Sequence, residues 1–123
     1  AMDEVEGYRE AIRKNIAYEC FADRYYRRDT VDELVELMTD VMALPDDSMV
    51  RIAGVERPVT VVKSRFMELD QMHIEYVLDC LQRNTSKVEN IRGYLLTTLY
   101  NAPMTIENYY RAEVVHDLYA SRG

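Results

Sequence analysis

Seven carboxylates, Asp29, Asp32, Glu33, Glu36, Asp40, Asp46 and Asp47, fall within residues 29–50, a stretch that contains no Lys or Arg. Such a cluster can hold a cation or face a basic partner. A calcium loop, however, needs a glycine at its sharp turn, and the four glycines are Gly7, Gly54, Gly93 and Gly123, none of them inside the cluster. The same four positions exclude a glycine-rich phosphate loop. His73 and His116 are the only histidines and are far apart in the chain. His73 and Cys80 share a helical face, but two turns separate them by about 10 Å along the axis, too far for one zinc ion. His116 beside Asp117 suits the electrostatics of a helix end. Cys20 and Cys80 lack a Cys-x-x-Cys spacing and read as reduced core thiols rather than a disulfide or metal pair. These residue types predict no catalytic, metal or cofactor site.

Two other sets have chemistry to offer. Lys63, Ser64 and Arg65, with Arg57 and Arg51 nearby, can contact a phosphate or an acidic partner; helix-to-helix hydrogen bonding and ordinary surface charge account for the same residues. Ten tyrosines and no tryptophan form the second set. Tyr76, Tyr94, Tyr100, Tyr109, Tyr110 and Tyr119 can seam helices at the core edge, or stack on single-stranded bases where a basic groove follows the backbone. Arg111 is the only base near Tyr109 and Tyr110, between Glu107 and Glu113, so packing is favoured.

The net charge of -7 comes entirely from residues 29–50, because acids and bases balance on both sides of that stretch. An uncompensated acidic helix opposes phosphate at close range, so this face is expected to meet water or a basic protein. Asp32, Glu36 and Asp40, four residues apart, are the candidate docking residues. Twelve of the fifteen basic residues are Arg, which favours bidentate and stacked contacts. No apolar run is long enough to span a bilayer and no secretory leader is evident, which predicts a cytosolic domain. The chain has 123 residues, 48% apolar, enough for one core and one domain over residues 3–120. Ala1-Met2 fits a cloning remnant ahead of an internal start.

The elements that must position these residues follow from periodicity. Val5, Tyr8, Ile12, Ile16 and Cys20 predict a helix from Glu4 to Tyr26 with a break near Asp23. Thr30 and Glu33 form a capping box that opens a second helix, whose stripe of Val31, Leu34, Val35, Met38, Val41 and Met42 ends before Pro45. Met49 to Pro58 alternates as a hairpin about Ala53-Gly54. Val62, Phe66 and Leu69 place a short helix at Val59–Glu68. Asp70 caps a fourth helix, running to Asn84 with Ile74, Val77, Leu78 and Leu81 inward. Ser86 and Glu89 cap a fifth, carrying Val88, Ile91, Leu95 and Leu99 to Asn101, where Pro103 stops or bends it. A sixth spans Thr105–Ala120. The expected fold is a compact all-α bundle of about six helices with one small hairpin.

Residues 90–110, NIRGYLLTTLYNAPMTIENYY, taken with Val61 to Phe66 and His73 to Leu81, resemble the C-terminal domain of replication initiator protein A-type proteins of Gram-positive plasmids and conjugative elements. The likeness runs from about Tyr8 to Tyr119. It implies a non-catalytic module that makes protein contacts during replication initiation, with a host replication protein or a second copy as partner. It also implies a separate N-terminal winged-helix domain that carries the DNA binding. An accessory DNA-binding domain using Arg57, Lys63, Ser64, Arg65, Tyr109, Tyr110 and Arg111 is the alternative. The chain is also similar to the small helical C-terminal domains of DnaD-like primosome proteins, but lacks their tyrosine-to-tryptophan DNA-contact motif because it has no Trp.

Overall fold

The computed structural model describes residues 2–22, 25–84 and 90–122, with side chains described for 3–22, 27–84 and 90–108. The element order is α1 (Met2–Asn15), a 3-10 turn (Tyr18–Phe21), α2 (Tyr25–Met42), β1 (Met49–Ile52), β2 (Val55–Pro58), α3 (Val59–Met67), α4 (Gln71–Arg83) and α5 (Ile91–Arg122). The class is the expected one, mostly helical with a single antiparallel hairpin, but with five described α-helices rather than six.

The first correction is at α1. The helix ends at Asn15, ahead of the expected break at Asp23, and Ala17 takes a left-handed conformation with φ 54° before the 3-10 turn. That reversal shifts the helical phase, so Phe21 enters the core, 1% exposed, and Cys20 faces solvent instead of being a core thiol. Because α2 already begins at Tyr25, Thr30 and Glu33 lie inside it and cap nothing. The stripe beyond them behaves as expected: Val31, Leu34, Val35, Met38 and Val41 are all buried, joined by Leu37.

The hairpin pairs Met49 with Pro58 and Ile52 with Val55 around Ala53-Gly54. Both turn residues have positive φ, 53° and 80°, which lets a two-residue connection follow the strand twist. Val50 and Ile52 point into the core while β2 is exposed along its length. A lone hairpin is marginal in water. This one is held from below by its two inward side chains, and the Ala53 amide donates to Thr97 Oγ1 of α5 at 3.2 Å.

α3 and α4 match expectation closely. Val59, Val62 and Phe66 are buried on α3, and Ile74, Val77 and Leu78 on α4. Asp70 caps α4 by accepting from the His73 amide, and His73 Nδ1 accepts from the Asp70 amide in return.

At α5 the expected stop fails. The helix runs for 32 residues through Pro103, about 48 Å. An interior proline removes one backbone donor at a cost of about 3 kcal/mol. Leu99, Tyr100, Ala102 and Ile106 are buried on both sides of it, so core packing across the proline keeps the helix continuous. The expected Ser86–Glu89 cap and Val88 lie outside the described residues. α5 instead starts at Ile91, with Asn90 Oδ1 accepting from the Gly93 amide at 3.0 Å. Among the described residues no helix is long and apolar enough to cross a membrane.

Candidate functional site

The three expected docking acids sit on α2 in different surroundings. Glu36 receives Arg9 of α1 bidentately, Nε at 2.6 Å and Nη2 at 3.0 Å, and Arg9 also pairs with Glu6. The hydrogen bonds from Arg9 hold the Glu36 carboxyl below the usual carboxylate range, against a smaller opposing effect of burial. Asp32 accepts from the Tyr18 hydroxyl at 2.5 Å, and the Arg13 guanidinium lies 5.0 Å from the Tyr18 ring centre. Asp32 and Glu36 thus fasten α1 and the 3-10 turn onto α2. Asp40 has only a long contact to Arg92 at 3.9 Å, with both side chains about 60% exposed, 61% and 59%. Glu33 is exposed and has no hydrogen bond or ion pair to another described residue.

The basic candidates are turned inward. Lys63 Nζ donates to the Leu44 carbonyl at 2.6 Å and to Asp46 at 2.9 Å, closing the loop after α2 onto α3. Arg65 donates to the Tyr100 carbonyl and lies over its ring at 4.0 Å, with Arg57 at 5.6 Å from the same ring. Ser64 is exposed on α3. Tyr109, Tyr110 and Arg111 belong to α5, but their side chains lie outside the described residues, as do those of His116 and Tyr119. Tyr100 is buried, and Tyr76 and Tyr94 are packed against the core, so these three seam the helices. Burial raises the Tyr76 phenol above its ordinary range.

Sequence periodicity missed the main concave feature. Ile91, expected in the core stripe of α5, is 50% exposed. It forms, with Leu95 and Leu37, the apolar floor of an open groove of about 370 Å³ between α2 and α5, walled by Asp32, Glu33, Glu36 and Asp40. A second cleft of about 260 Å³, reaching Arg27, Leu78, Leu81 and Gln82, shares Glu33, Ile91 and Leu95 with it, so the two form one trough. The sequence signal for it was weak: an apolar residue in the first turn of α5, opposite a helix whose outer face is acidic. No group of three or more His, Cys, Asp or Glu among the described residues is arranged to hold a metal ion.

A protein family matches the chain over residues 1–121. The chain belongs to DUF6017, a family of unknown function. No curated protein and no solved structure matches it. Membership in the family therefore adds no activity to what the trough and its acidic wall can do, which is to take up an apolar surface bordered by positive charge.

Proposed function

We propose that this domain is a non-catalytic protein-docking module, the C-terminal part of a cytoplasmic replication initiator of a plasmid or mobile element. The replication context rests on the resemblance of residues 61–66, 73–81 and 90–110. The docking role rests on one observation: the whole surplus of negative charge lies on and just after α2, beside an apolar trough with a half-exposed Ile91. Charge depletion at phosphate contacts weakens nucleic-acid binding, so the parent protein holds DNA through another domain. The alternative, an accessory DNA contact through Lys63 and Arg65, has less support because both cations already serve internal partners.

The test is maintenance of a replicon that depends on the full-length gene. Deleting this domain is expected to abolish replication, while the isolated domain binds single- and double-stranded DNA only weakly at physiological salt. Unchanged plasmid copy number after deletion would overturn the replication role. Submicromolar DNA binding lost in Lys63→Ala, with folding intact, would move the site to the basic motif.

A further inference from the structure

The trough has a length, a floor and a charge, and together they describe an occupant. Along α2 it runs from Arg27 to Asp40, about 20 Å at the rise of an α-helix. Its floor is Ile91, Leu95 and Leu37 at the centre and Leu78 and Leu81 at one end, in line rather than in a round cavity. A straight apolar floor between two helical walls is the shape that receives an amphipathic helix laid lengthwise.

The walls select its charge. Glu33 stands at the junction of the two clefts without a described ion pair, and Asp40 is held only by the long, solvent-exposed contact to Arg92. An exposed pair of that kind is worth little, so an incoming cation displaces Arg92 at small cost. At the other end Arg27 is drawn towards Asp79 at 3.4 Å and leaves the acidic wall unneutralised. A second copy seated trough to trough would set acid against acid, and nucleic acid would set phosphate against acid.

We infer that the α2–α5 trough is the seat of a basic amphipathic helix, about thirteen residues long, from a partner protein. This deepens the docking reading and rests on it for its biological meaning. The helix lays leucine-like side chains on Ile91 and Leu95 and brings Lys or Arg to Glu33 and Asp40.

The probe is a synthetic helical peptide of about that length, with Leu along one face and Lys and Arg flanking it. Two controls share its length: one with Glu in place of each cation, one with the leucines scrambled. Titrated into isotope-labelled domain, the basic amphipathic peptide is expected to shift the amide resonances of Glu33, Leu37, Ile91 and Leu95. Ile91→Ser and Glu33→Lys should each weaken it by about tenfold or more without lowering the melting temperature, since both side chains are exposed. Equal binding by either control, or shifts that map elsewhere, would overturn the inference. In the full-length gene, domain deletion that stops replication while Ile91→Ser with Glu33→Lys leaves it untouched sinks the trough and keeps the docking role. The converse, peptide binding in the trough with deletion harmless, keeps the trough and sinks the replication role.

Discussion

The Arg65 guanidinium lies 4.0 Å from the centre of the Tyr100 ring and donates Nη1 to the Tyr100 carbonyl at 3.3 Å, so one side chain joins α3 to α5 just before Pro103. The ring is itself buried, which removes water from one side of the stack. A cation placed in this way stabilises the fold and has little left to offer a phosphate.

Arg65→Ala is accordingly expected to lower unfolding free energy by about 1–3 kcal/mol, from a lost stack and a lost hydrogen bond. Arg65→Lys restores only part of that, because an ammonium cannot stack as a plane. Chemical denaturation of both variants measures it. Full stability in Arg65→Ala would release this residue for an external role.

Core position and groove position separate cleanly in a second series. Leu78 and Leu95 are 4% and 5% exposed, and replacing either with Ala should cost about 2–5 kcal/mol through the cavity left behind. Ile91→Ala should cost under about 1 kcal/mol, because half of that side chain is already in water. Equal losses at all three positions would place Ile91 in the core after all.

The hairpin turn offers a stabilising change. Ala53 occupies the left-handed region at φ 53°, which costs a residue with a Cβ about 1–2 kcal/mol relative to glycine. Part of that gain is offset by the greater freedom of glycine in the unfolded chain. Ala53→Gly should therefore raise stability by about 0.5–1 kcal/mol, and Gly54→Ala, at φ 80°, should lower it. Thermal melts of the two variants are expected to move in opposite directions.

The Arg9–Glu36 pair predicts a pH dependence. The folded state holds the Glu36 carboxyl below its unfolded value, so it binds fewer protons than the unfolded chain across that interval. The stability contribution is present above the unfolded value of about 4.3 and disappears as pH falls through the folded value. Glu36→Gln should be less stable than the parent at neutral pH and equal to it in acid. The gap should be small, since the Glu36 side chain is 49% exposed, and should narrow in high salt. A gap that persists unchanged in strong acid would assign it to packing rather than charge.

Local rules recovered the elements whose signals are local. Asp70 caps α4 because an acceptor three residues before the His73 amide needs nothing from the rest of the chain. The hairpin about Ala53-Gly54 and the stripes of α2, α3 and α4 follow from turn geometry and from apolar spacing in the same way. Even so, the helix register from Glu4 to Cys20 failed, because one left-handed residue at Ala17 re-phases everything after it and alanine gives no warning of that conformation.

What the sequence alone determined is the class of the protein: helical, acidic in one stretch, with no spacing for a metal or phosphate site. Tertiary structure decided which charges are available. Asp32 and Glu36 differ from Glu33 only in what α1 and the 3-10 turn bring beside them, namely Tyr18 and Arg9. Lys63 and Arg65 look like a basic motif until Asp46 and Tyr100 arrive from elements distant in sequence. Pro103 continues a helix that local geometry would end, because buried Leu99, Ala102 and Ile106 outweigh one missing hydrogen bond. Exposure of Ile91 depends on how far α2 and α5 stand apart, a distance set by packing between helices that no one-dimensional pattern encodes.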